Sequence, residues 1–196
     1  MRIKYNAPTV LTFTFLSAVV LILSQTVLPS LTEQWFVVSG KGSFSPGSIR
    51  SWVTLFTHVL GHANWPHLVS NFSFILLIGP ILEEIYGSVS LLIMIFITAL
   101  VTGILNVLFF SSGLLGASGV VFMMILLASF TNFNKGEIPL TFILVLVLYL
   151  GRELFNSFGG SNARGGGGNV SEFAHIVGGF IGSLFGFFRV SKAGSR

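Results

Sequence analysis

The chain is 196 residues long, 53% hydrophobic and 14% aromatic, and only 8% of its residues are charged. Soluble domains carry about 25% charged residues, so the deficit excludes intrinsic disorder, a nucleic-acid-binding module and an ordinary cytosolic enzyme. A mean hydropathy of +0.89 leaves an integral membrane protein whose length holds one compact bundle. The net charge of +4 comes from scattered Lys and Arg that flank apolar runs, a pattern of membrane anchoring with no nucleic-acid partner. Cysteine is absent, which removes disulfides, thiolate metal sites and cysteine nucleophiles. Asp is absent too, all six acidic residues being Glu.

A helix crossing the hydrocarbon needs about 20 apolar residues. The first predicted span covers residues 8–28, uncharged and bordered by Pro8 and Pro29. Arg2 and Lys4 precede it as in a signal peptide, yet the run is long and has no small-x-small cleavage site, so it reads as a retained helix. Residues 30–66 read as one long loop, with Trp35 and Trp52 suited to the membrane interface. The second span is expected over 67–86, opened by Pro66, which suits a first helical turn. An uncharged third span follows over 88–110, then a turn at Gly113 and Gly116, and a fourth span over 118–130. The fifth is expected over 138–158 and the sixth over 171–188. Between these two, residues 159–169 contain six glycines and read as a mobile connection.

Six spans put both termini on one side, with Arg2, Lys4, Lys135, Arg189, Lys192 and Arg196; Lys41, Arg50, Arg152 and Arg164 fall opposite. That bias favours cytoplasmic termini. The expected fold is all-α: one polytopic bundle over residues 1–196 with six transmembrane helices, the second, fourth and sixth beginning at the outer face.

Polar groups inside a membrane are costly and mark function by default. His67 and Asn71 are four residues apart, about 40° apart on one helical face, so both can aim donors into one cavity or bind neighbouring helices as a packing pair. His58, His62 and His67 invite a metal reading, but no carboxylate or cysteine accompanies them and the set is poor for a metal. In Gly116-Ala117-Ser118-Gly119 the serine is either a packing residue or a nucleophile at a tight turn, its backbone N–H left open by the glycines. Thirteen residues from Ser118 to Phe130 make about 20 Å of helix, short of a ~30 Å core, so Ser118 is recessed and a loop must descend to it. His175 lies early in the sixth span, followed by Gly178, Gly182 and Gly186, whose spacing permits close helix contact. His67, Asn71, Ser118 and His175 thus share one depth at the outer ends of three helices.

These residues resemble the rhomboid family of intramembrane serine proteases over roughly residues 50–190. The motifs are His67-x-x-x-Asn71, Gly116-x-Ser118-Gly119 and Ala174-His175-x-x-Gly178-x-x-x-Gly182, in that order; Glu83 is similar to the family's structural glutamate at the end of the second span. The resemblance implies a Ser118–His175 dyad without a cofactor or metal. His67, Asn71 and the Ser118 N–H would stabilise the oxyanion. Residues 159–169 would cap the cavity, and the fifth span would serve as lateral gate. Gly116, Gly119, Gly178 and Gly182 would support the site. Phe122 stands where many relatives carry a Tyr packed on the histidine; ring packing survives, and a hydroxyl contact is lost. The usual Trp-Arg pair is not evident, since Trp52 is followed by Val53. The implied substrates are single-pass membrane proteins cut near the outer end of their helix, in the plasma or inner membrane. The alternative is a catalytically inactive rhomboid-like chaperone that binds membrane helices. A transporter would need mid-membrane charges that the third span lacks. Aspartyl and zinc intramembrane proteases need two Asp or a His-Glu-x-x-His motif, and neither is present.

Overall fold

The computed structural model describes residues 4–129, 140, 143, 144, 147, 148 and 168–193, with side chains of the last helix over 174–187. Seven helices are described: α1 (Pro8–Thr26), α2 (Leu31–Trp35), α3 (Ile49–Thr57), α4 (Trp65–Tyr86), α5 (Ser88–Phe109), α6 (Ser118–Ser129) and α7 (Gly168–Ala193). A single 3-10 turn, His58–Leu60, follows α3. Among the described residues the only β feature is an isolated antiparallel bridge between Val38 and Leu114. Helices α1, α4 and α5 are long and apolar enough to cross a membrane, whereas α6 and residues 174–187 of α7 are shorter apolar segments. Of the expected fifth span only Leu140, Ile143, Leu144, Val147 and Leu148 are described, all helical and exposed; the rest of it and most of the expected cap, residues 159–167, lie outside the described residues.

Local chemistry sets the helix ends. Pro8 opens α1, and its N-cap, Ala7, has no side chain to offer the orphan N–H groups of the first turn. Glu83, from the far end of α4, supplies the cap. Its Oε1 accepts from the Thr9 N–H at 2.8 Å and its Oε2 from the Val10 N–H at 3.0 Å. A carboxylate also complements the positive end of the helix dipole. The Thr9 hydroxyl donates to the Ser88 carbonyl at 3.0 Å, which ties the start of α1 to the α4–α5 corner. That corner is Gly87, at φ +82° and ψ 151°, a region open in practice to glycine alone. At the other end of α4, the Asn64 side chain accepts from the His67 N–H at 2.9 Å, the usual N-cap bond.

Burial separates a lipid face from a core face. Val69, Phe74, Leu77 and Ile81 of α4 and Val89, Ile93, Phe96 and Leu108 of α5 are exposed, an arrangement suited to hydrocarbon and not to water. The inward stripe of α5 carries Leu91, Ile95, Thr98, Ala99, Thr102, Gly103 and Asn106, small or hydrogen-bonded groups of the kind that let membrane helices approach closely. Helix α6 is apolar all round, with Val120, Val121, Met123, Met124, Leu126 and Leu127 buried. A helix of that kind belongs in the centre of a bundle, and α6 packs against α4, α5, α7 and the 3-10 turn.

Three boundaries differ from the sequence reading. The segment read as one loop, 30–66, contains α2, α3, the 3-10 turn and the start of α4. Its α3 is a short helix with Ile49 and Trp52 outward and Thr54 and Leu55 buried, a two-sided pattern that overall polarity obscured. The second span begins at Trp65, because Asn64 provides the cap. The last helix begins at Gly168, so Gly168 and Asn169 belong to it and not to the cap.

Candidate active site

The approach to Ser118 is built from irregular backbone. Val38 and Leu114 exchange both N–H···O bonds, at 2.9 and 3.0 Å, and the Gly116 N–H donates to the His58 carbonyl at 2.9 Å. The Asn106 amide donates to the Ser39 and Ser112 carbonyls at 3.4 and 3.1 Å. Residues after α5 are thereby led to the N-terminus of α6 with the Phe110, Ser112, Leu114 and Gly116 backbone groups paired. Gly116 has φ +112°, and a Cβ there would stand 2.7 Å from His67 Nε2 and 3.8 Å from Asn71 Nδ2. The His67 ring therefore lies directly against the Gly116 backbone, and two features of this position independently require glycine.

Helix α7 meets α6 backbone to backbone. A Cβ at Gly178 would be 2.0 Å from the Gly119 carbonyl oxygen, and one at Gly182 would be 2.2 Å from that of Met123. A Cβ at Gly119 would be 3.3 Å from the Ala174 carbonyl oxygen. The contact joins Gly119 to Ala174, the immediate neighbours of Ser118 and His175. One turn further along α6, the Phe122 ring stacks on the His175 imidazole, centroids 4.2 Å apart and planes within 6°. The ring packing expected of Phe122 is present. Ser118, His67 and His175 are half-buried and Asn71 is buried, so this is a recess and not a sealed core.

Two histidines considered for a metal have other partners. His62 Nδ1 lies 3.3 Å from the Leu60 carbonyl oxygen, and its Nε2 lies 3.2 Å from Asn71 Nδ2. His58 Nδ1 lies 3.2 Å from the Thr54 carbonyl, and its Nε2 lies 3.4 Å from the Thr102 hydroxyl. Both sit outside the spanning helices, and burial pushes each imidazole down to about 4, which keeps both neutral at physiological pH. For His62 the nearby His67 charge adds to that shift. His62, His58 and Thr102 were not among the residues assigned to the site from sequence. The contact from His62 to Asn71 spans nine residues and a change of direction, so no helical spacing announces it.

The recess thus gathers a serine at a helix N-terminus, a histidine braced by an aromatic ring, and a second polar cluster over a glycine turn. No curated protein matches the chain. The family model for the Rhomboid domain matches residues 50–192, a stretch that contains every one of these groups and well over half of the sequence. The chain belongs to the rhomboid family.

Proposed function

We propose that the protein is an intramembrane serine endopeptidase that cuts single-pass membrane proteins near the outer end of their helix. Ser118 Oγ attacks the scissile carbonyl carbon while His175 takes its proton, and the same proton then goes to the leaving amine as the peptide C–N bond breaks. Water hydrolyses the resulting ester by the reverse proton route. His67, Asn71 and the Ser118 N–H stabilise the oxyanion, each such donor being worth ~2.7–4 kcal/mol. With no Asp in the chain, the pair acts as a dyad, and ring stacking takes over the orientation of the imidazole. Six spans with both termini cytoplasmic, in the plasma or inner membrane, set the recess toward the outer face.

One observation carries this reading. Backbone contact between Gly119 and Gly178 packs the turn of Ser118 against the turn of His175, and the Phe122 ring stacks on the imidazole face, which supports pairing the two as a dyad. The test is cleavage of a single-pass substrate in liposomes by the wild type, Ser118→Ala and His175→Ala. The expected result is a single cut near the helix end by the wild type and none by either folded variant. Failure of a fluorophosphonate to label Ser118 in a wild type that also does not cut would favour the inactive, helix-binding alternative.

A further inference from the structure

His62 lies between the 3-10 turn and α4 and is 1% exposed. Its two ring nitrogens face groups of fixed polarity. The Leu60 carbonyl oxygen at 3.3 Å from Nδ1 only accepts, and the amide nitrogen of Asn71 at 3.2 Å from Nε2 only donates. A single protonation state meets both: neutral imidazole with its proton on Nδ1 and a lone pair on Nε2. Burial favours that same neutral form. The ring is braced by His67 in an edge contact at 5.0 Å and by Phe72 at 5.6 Å.

The consequence falls on Asn71. Its amide cannot turn its oxygen toward His62, because Nε2 has no proton to give. Nδ2 is therefore held between His62 and the glycine turn, 3.8 Å from the point where a Cβ on Gly116 would stand. One N–H is taken by His62 and the second is left for an acceptor in the recess.

We propose that His62 is a positioning residue: its unprotonated Nε2 takes one amide proton of Asn71 and so fixes the other N–H as a donor to the substrate carbonyl oxygen. This rests on the function proposed above for Asn71. The neutral tautomer and the amide orientation are properties of the resting protein, and they are measurable without turnover.

The test combines a double-mutant cycle with nitrogen spectroscopy. His62→Leu, which offers no acceptor, is expected to lower kcat about 10- to 100-fold, by analogy with outer partners that orient metal ligands. His62→Gln, whose Oε1 accepts, is expected to recover part of that loss. In an Asn71→Ala background His62→Leu should have almost no further effect. An equal fold-loss from His62→Leu in both backgrounds, with the variants folded, would overturn the proposal. Independently, 15N-histidine spectra of the wild type should give His62 an unprotonated Nε2 whose resonance moves in Asn71→Ala. A protonated Nε2, or one indifferent to Asn71→Ala, also overturns it. Should Ser118→Ala cleave as well as the wild type, the protease reading fails, while the spectra still decide the role of His62.

Discussion

The carboxylate of Glu83 offers a direct measure of what holds the first helix to the bundle. It sits 5% exposed, accepts from two successive backbone N–H groups, and those groups lie 73 and 74 residues away in sequence. Hydrogen bonds to a charged group contribute about 1.5–3 kcal/mol each. Removing both acceptors leaves two orphan donors at the start of α1, where the N-cap residue offers no replacement. Glu83→Ala is therefore expected to destabilise the fold by about 3–6 kcal/mol. Glu83→Gln keeps one oxygen but turns an amide N–H₂ toward an N–H donor, so it should cost about half as much. The neighbouring Glu84 is exposed, and Glu84→Ala serves as a control expected within ~0.5 kcal/mol of wild type.

Unfolding by SDS titration in mixed micelles, read by the fluorescence of the three tryptophans, gives the free energies. Hydrogen exchange reads the Thr9 and Val10 amides themselves. The expected order is wild type and Glu84→Ala most stable, then Glu83→Gln, then Glu83→Ala, with exchange at Thr9 and Val10 faster in both Glu83 variants. A Glu83→Ala variant within 1 kcal/mol of wild type would refute the reasoning. So would unchanged exchange at those two amides.

Three further outcomes follow from the site. Gly178→Ala places a methyl 2.0 Å from the Gly119 carbonyl oxygen, so α7 must move away from α6; activity should fall at least tenfold and stability by about 1–3 kcal/mol, measured by cleavage rate and SDS unfolding. Phe122→Ala removes the ring stacked on His175, a contact worth about 0.5–1.5 kcal/mol beyond its buried area; kcat should fall about tenfold, while Phe122→Tyr, which keeps the ring, should stay within a few-fold. Stability should also depend on acid. His58 and His62 are held near 4 by burial, while the unfolded chain titrates near 6.5, so the unfolded state binds protons first as pH falls. Stability is then full above pH 6.5 and drops by about 1.4 kcal/mol per pH unit per histidine down to pH 4; SDS-unfolding midpoints unchanged between pH 7.5 and pH 5 would contradict this.

Much of the arrangement is legible in the sequence because the membrane enforces long signals. The apolar runs that become α4 and α5 follow from composition, whereas the backbone requirement at Gly87 between them appears only in the structure. Ser118 stands out because it sits between Gly116 and Gly119, and His175 because Gly178, Gly182 and Gly186 follow it at helical spacing. The glycines at 119 and 178 are explained by the close crossing they permit. Other features leave no periodic trace. Helix α3 is only nine residues long, too short for its two faces to declare themselves within a polar stretch. Spacing alone does not separate Glu83 from Glu84; the family resemblance singles out Glu83, and the reach across to Thr9 and Val10 supplies its physical reason. His62 belongs to the site through a bend in the chain, not a face of a helix.

The short length of α6 accounts for the long segment before α4. Twelve residues make about 18 Å of helix, so the chain must enter the membrane as irregular backbone before α6 begins. In hydrocarbon every unpaired N–H or C=O costs several kcal/mol, and such backbone persists only beside protein or water. Residues 38–41 and 58 meet that need: Val38 pairs with Leu114, the Lys41 N–H reaches the Phe110 carbonyl, and the His58 carbonyl takes the Gly116 N–H. The segment between α1 and α4 is therefore the partner without which the descending turn has unpaired donors, and its stability is coupled to that of the recess. His58 joins the two most directly. Its backbone holds the Gly116 turn while its ring is anchored to the Thr54 carbonyl and the Thr102 hydroxyl. A change that loosens this histidine would be felt at Ser118, two residues from the turn it holds, although His58 itself is not among the residues proposed to act on the substrate.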